Sequence, residues 1–240
     1  MQQISGKTAL ITGGSKGIGL GIADQLVRKG VNVVITGRHE ESLAQAAQQL
    51  NDTGPGKAIA VVADVRDLAA QRRSVEKAVE AFGRLDVMVA NAGVGHFGSI
   101  LDLTPEQWHE TIDINLTGVF NSIKAAAEAL IESKGYFITI ASLAGTNFFA
   151  GGSAYNASKF GVVGFTQAVM LDLRQAGVKC SVIMPGSVAT YFNNHQPSVA
   201  DAWKIQPEDI GQIVVDLLEM HPRTLPSKIE VRPSQPPAKG

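Results

Sequence analysis

The sequence is short of charge, of cysteine and of long apolar runs, and each shortage excludes a class of protein. Charged residues make up 18% of its 240 positions, below the roughly 25% of an average soluble chain, so little of it is spare solvated surface. Lysine and arginine number 21 against 22 acids; a duplex-binding domain carries a basic excess, so a nucleic-acid partner is not expected. The single cysteine, Cys180, has no intrachain disulfide partner, which fits a reducing compartment. No uncharged apolar stretch approaches the ~18 residues of a membrane span. The opening Met1-Gln2-Gln3-Ile4-Ser5-Gly6-Lys7 lacks the apolar core of a signal peptide. The expectation is a cytoplasmic protein with no membrane partner. The five histidines show no metal-ligand spacing, so no catalytic metal is expected.

What is present is a rhythm. Apolar runs at Thr8–Ile11, Asn32–Thr36, Ala58–Ala63, Val87–Ala90, Tyr136–Ala141 and Val178–Met184, with a weak last one at Ile229–Val231, alternate with amphipathic stretches. The stretches fall at Gly17–Lys29, Glu40–Leu50, Leu68–Phe82, Pro105–Leu130, Tyr155–Gln175 and Glu208–Glu219. Strands buried on both faces read as continuous apolar runs, and their alternation with helices predicts a doubly wound, mostly parallel sheet of about seven strands. The fold class is therefore α/β, a single Rossmann domain over residues 1–240. A turn-like flap is expected near 191–206, and a polar tail near 233–240.

Two constellations carry chemistry. The first strand runs into Thr12-Gly13-Gly14-Ser15-Lys16-Gly17-Ile18-Gly19 and then a helix. Glycines there allow a tight turn and close approach of a pyrophosphate to the backbone, and the helix start favours the anion. The second strand ends Gly37-Arg38-His39, without the acid that binds the ribose 2′-hydroxyl of NAD. Arg38, with Lys16, instead suits a 2′-phosphate, because a guanidinium donates paired hydrogen bonds to phosphate oxygens; NADP(H) is preferred over NAD(H). The second constellation is Tyr155-Asn156-Ala157-Ser158-Lys159. Spacing i, i+4 puts Tyr155 and Lys159 on one helix face, where an ammonium lowers the phenol pKa toward useful acid-base chemistry. Ser142, ending the preceding strand, is placed to donate to the same substrate oxygen.

These marks, together with Asp64-Val65, Asn91-Ala92-Gly93, Asn115 and Pro185-Gly186 followed by Val188 and Thr190, resemble the short-chain dehydrogenase/reductase family over nearly the whole chain. The resemblance implies Tyr155 as general acid or base and Ser142 as the group that polarises the carbonyl. It implies that Lys159 binds the nicotinamide ribose, while Asn115 holds a water in a proton relay. Asp64 and Val65 would contact adenine, Asn91, Ala92 and Gly93 would line the nucleotide cleft, and Val188 and Thr190 would bind the carboxamide. Asp64 is also a residue type that caps helices. His96, Phe148, Phe149 and Tyr191 are candidate substrate walls; Phe97, Asn147, Phe192 and Trp203 lie in the same segments.

The activity implied is NADPH-dependent reduction of a ketone or 3-oxoacyl carbonyl, similar to 3-oxoacyl-[acyl-carrier-protein] reductases. An oxidative alcohol, sugar or steroid dehydrogenase and a non-catalytic dinucleotide-binding regulator are the alternatives. Homodimers or homotetramers are common in the family. Here the chain ends Ile229-Glu230-Val231-Arg232-Pro233, without the Asp-Gly-Gly turn of many relatives, and that departure weakens the case for a strand-mediated tetramer.

Overall fold

The computed structural model describes residues 2–235. Seven strands form one sheet in the order β3-β2-β1-β4-β5-β6-β7, all paired parallel. They are β1 (Thr8–Thr12), β2 (Asn32–Gly37), β3 (Ala58–Val62), β4 (Val87–Ala90), β5 (Tyr136–Ile140), β6 (Lys179–Pro185) and β7 (Lys228–Val231). The helices are α1 (Gly17–Arg28), α2 (Glu40–Asn51), α3 (Leu68–Phe82), α4 (Pro105–Ile112), α5 (Gly118–Ser133), α6 (Ser153–Leu173) and α7 (Pro207–Glu219). Every sequence-derived strand is present within a residue or two of its expected ends.

The apolar runs serve two cores because successive side chains leave a strand on opposite faces. Ala9, Ile11, Val33 and Ile35 join Ile22, Leu26, Ile210 and Val214 under α1 and α7. Leu10, Val34, Met88 and Phe137 join Val75, Val119, Ile123 and Val162 under α3, α5 and α6. Strand order reverses between β1 and β4, and the crevice at their carboxyl ends is where an open sheet of this kind binds its ligand.

One expected helix differs. Pro105–Leu130 is not a uniform helix: a π turn at Asp113–Thr117 separates α4 from α5. Such a turn inserts one residue and re-aims its neighbours, and here it carries Asn115 fully into the interior. The flap segment is built as a turn at Phe192–Asn194, with Asn193 and Asn194 in the left-handed region, and a 3₁₀ turn at Val199–Asp201. Buried Asp201 holds it together, accepting from His195 Nε2 at 2.7 Å, Lys204 Nζ at 2.5 Å and the Ser198 backbone at 2.9 Å. Of the expected polar tail, residues 236–240 lie outside the described residues.

Candidate active site

The glycine turn follows β1. Gly13 and Gly17 adopt φ of +66° and +56°, the left-handed region in which side chains are strained. Gly19 is required by proximity: a Cβ there would collide with the Gly13 carbonyl. The turn is clamped from the neighbouring strand exit. Asn91 Nδ2 donates to the carbonyls of Thr12 at 2.9 Å and Gly13 at 3.2 Å, while Thr12 Oγ1 accepts from the backbone of Asn91 and Ala92. No side chain caps the start of α1, so its backbone donors remain available to an anion. Ser15 and Ile18 are half-buried on this turn.

Lys16 and Arg38 are exposed, and among the described residues neither has a carboxylate within ion-pair distance. Asp64 is engaged: Arg66 grips it through Nη2 at 2.6 Å and Nε at 3.0 Å, which holds its carboxyl below the usual range. The cap of α3 is Asp67, accepting from Ala69 N at 2.8 Å. The Val65 side chain is buried against Gly118, and its carbonyl accepts from Asn121 Nδ2 at 2.9 Å. Any contact of Val65 with a base is therefore through its backbone.

At the other side of the crevice, Tyr155 and Lys159 share the first turns of α6, with Lys159 Nζ 5.7 Å from the Tyr155 ring centre. Lys159 is buried and donates to the Ile140 carbonyl at 3.0 Å. Burial lowers its pKa to about 8, because removing an ammonium from water disfavours the charged form. Contrary to the lowering expected from Lys159, burial raises the Tyr155 pKa, and only the Ser142 hydroxyl beside it offsets this in part. Tyr155 is therefore held as a phenol, a proton donor, around neutral pH. Asn115 Oδ1 accepts from Val94 N at 2.8 Å, and its Nδ2 donates to Val94 O at 2.9 Å and Ser158 Oγ at 3.0 Å. Its amide thus ties the β4 exit beside Gly93 to the turn bearing Tyr155. A Cβ on Gly93 would lie 3.3 Å from Asn115 Oδ1 and 3.6 Å from Lys159 Nζ, so that backbone approaches both groups.

The β6 exit supplies the third wall. The Gly186 backbone donates to Val231 at 2.8 Å beyond Pro185, and Val188 bridges to Ile205. Thr190 stands over the start of α1, 3.4 Å from where a Gly17 Cβ would be.

The expected substrate walls divide. Phe97, Phe149 and Phe192 gather near Tyr155: Phe97 and Phe192 have ring centres 5.3 and 5.6 Å from that of Tyr155, and Phe149 is 6.0 Å from Phe97. His96 instead turns to Glu110 on α4, with Nε2 and Oε2 2.8 Å apart. Phe148 is 87% exposed, and Tyr191 lies along a surface groove with Leu20, Gln25 and Pro207.

Sequence reasoning passed over Asn156. Buried in α6, it donates to the carbonyls of Ala144 at 2.7 Å and Asn147 at 2.8 Å, fixing the loop that begins at Ser142. Its place next to Tyr155 was the only available signal. Asn156→Ala is expected to cost about 2–4 kcal/mol by leaving buried carbonyls unpaired and to lower kcat by displacing Ser142; denaturant unfolding and steady-state kinetics check both.

A parallel α/β sheet with an anion-cradling glycine turn and an adjacent Tyr-Lys-Ser cluster defines an NAD(P)-dependent oxidoreductase. The family described as short chain dehydrogenase matches residues 7–200, and the chain belongs to it. Oxidoreductase UcpA of Salmonella typhimurium is 36% identical, over 96% of this chain and 86% of its own. An alcohol dehydrogenase of the archaeon Thermococcus sibiricus, solved with 5-hydroxy-NADP, superposes with TM-score 0.90 at 28% identity, covering 97% of this chain and 99% of that one. A short chain dehydrogenase/reductase of Burkholderia phymatum, solved with NAD, superposes with TM-score 0.85 at 26% identity, covering 96% and 90%. No helix among the described residues is long and apolar enough to cross a membrane.

Proposed function

We propose that the protein reduces a ketone or 3-oxoacyl carbonyl to a secondary alcohol with NADPH. The observation that carries this reading is Tyr155, kept protonated by burial beside Ser142 and one helical turn from the Lys159 ammonium.

The uncapped start of α1 and the glycine turn fit a pyrophosphate, and the unpaired cations Lys16 and Arg38 fit a 2′-phosphate. The bound reduced nicotinamide supplies the hydride. Ser142 donates a hydrogen bond to the carbonyl oxygen, and Tyr155 gives that oxygen its proton. Lys159 has three N–H donors. One is held by Ile140, and the other two are free for ribose hydroxyls and for water that restores the Tyr155 proton. Asn115 acts by positioning, through Val94 and Ser158, and Asp64 must release part of its Arg66 pair to meet adenine. Val188 and Thr190 would hold the carboxamide.

The protein is read as a cytoplasmic single domain that acts on a small molecule. It assembles as a homodimer through the α5–α6 face, where Phe120 and Phe165 stack edge-on beside a shallow groove floored by Gly161. A further pairing across edge strand β7 would give the tetramer.

Absorbance loss with NADPH and with NADH, against an acetoacetyl thioester, a β-ketoester, a diketone and a cyclic ketone, tests the reading. Turnover that prefers NADPH supports it. Tight NADPH binding without turnover of any member leaves either a substrate outside the panel or a regulator. Arg38→Asp is expected to weaken NADPH by about 1–3 kcal/mol, the scale of a lost charge-assisted bond, with NADH nearly unaffected; titration of the two cofactors checks the difference.

A further inference from the structure

We propose that the substrate is an uncharged ketone carrying an apolar ring, aromatic or alicyclic, next to its carbonyl, and that Phe97, Phe149 and Phe192 select it. The proposal rests on the carbonyl-reductase reading and narrows it.

Three segments leave the carboxyl ends of the adjacent strands β4, β5 and β6, and each delivers a phenylalanine to the same place. Phe97 and Phe192 both lie against Tyr155, and they meet each other edge-on with ring centres 6.2 Å apart. Phe149 extends the group through Phe97. The local backbone is cut to admit these rings. A Cβ on Gly95 would stand 2.6 Å from the Phe192 ring and 2.8 Å from the Phe97 ring, and one on Gly152 would stand 2.6 Å from the Phe149 ring. The first two segments are also tied together, Gly98 N donating to Gly151 O at 2.9 Å.

The group presents rings to the proton donor and no free charge. His96, the residue before Phe97, is spent on Glu110. In the flap, Asp201 is spent on His195 and Lys204. The three rings offer a carboxylate or phosphate beside the carbonyl no partner, and Lys159 is committed to Ile140 and to the proposed ribose contact, so such a group would lose its hydration. Nor are the rings buried as ordinary core: Phe97 is 41%, Phe149 48% and Phe192 37% exposed. Half-exposed aromatic faces around a reacting group gain from a flat or alicyclic ring laid on them, since offset and edge contacts add to simple burial. A linear chain of equal carbon number obtains the burial alone.

The experiment compares an aryl ketone, a cyclohexyl ketone and a linear methyl ketone of equal carbon number, by kcat/KM with NADPH. It adds their Kd for NADPH-loaded Tyr155→Phe, which keeps the ring stack and cannot give the proton. The ring compounds are expected to be favoured about tenfold or more in Kd, the scale of a few aromatic contacts. Phe97→Leu and Phe192→Leu, made in the Tyr155→Phe background, are expected to collapse that ratio toward one while the linear ketone keeps its affinity. A ratio below threefold, or one unmoved by both leucine variants, overturns the proposal. Because the Kd comparison needs no turnover, a silent wild-type enzyme would count against the reductase reading and leave this one judged on affinity.

Discussion

Tyr155→Phe is expected to lower kcat for carbonyl reduction by about 10²–10⁴-fold, the usual contribution of a positioned general acid, with NADPH affinity nearly unchanged. The substitution deletes one oxygen and keeps the ring that packs against both Phe97 and Phe192, so the walls of the site stay in place. The neighbouring Ser142 hydroxyl keeps its own contact with the Ala144 backbone. Single-turnover kinetics at saturating NADPH, with cofactor affinity measured by fluorescence titration, separates the two effects. Activity comparable to wild type would remove Tyr155 from the mechanism.

Lys159→Met is expected to abolish turnover and raise stability together. The ammonium is buried with one backbone acceptor, and the fall of its pKa to about 8 means that keeping it charged costs on the order of 3 kcal/mol at neutral pH. Methionine fills the space without that cost but leaves the Ile140 carbonyl without its lysine partner, about 1–3 kcal/mol. The net gain of roughly 1 kcal/mol corresponds to a Tm increase of about 2–4 °C in a chain of this size. Between about pH 8 and the ordinary lysine value of 10.5, the unfolded chain holds a proton that the folded chain has released. Wild-type stability therefore rises with pH through that window, and the advantage of the methionine variant shrinks across it. In the same range kcat/KM for reduction falls as the free enzyme loses the Lys159 charge. Calorimetry at pH 7 and pH 10 checks the first statement, and the pH profile of kcat/KM the second. A methionine variant less stable than wild type at pH 7 would show that Lys159 supports the fold.

Much of this site was legible because its parts are local. Gly13, Gly17 and Gly19 announce a turn that no other residue could make, and Tyr155 and Lys159 meet by helical spacing alone. Roles that depend on a distant partner were not legible. Asp64 reads as a base contact that could also be a cap, and only the fold shows Arg66 gripping it while Asp67 caps α3. Asn156 bonds carbonyls 12 and 9 positions away, a pairing with no periodicity to betray it. The π turn at Asp113–Thr117 escaped because apolar spacing around it still fits an ordinary helix.

The same division holds for the whole molecule. Apolar runs of strand length, alternating with amphipathic helices, determined a doubly wound parallel sheet, since a strand covered on both faces must be apolar throughout. The glycine turn and the missing acid after β2 led to the expectation of a dinucleotide at the end of β1 and to the proposal that Lys16 and Arg38 meet its 2′-phosphate. Tertiary structure alone decided which aromatics face Tyr155: Phe97 and Phe192 in place of the neighbouring His96 and Tyr191. Adjacent residues in irregular segments point in different directions, and backbone angles set by distant hydrogen bonds choose between them.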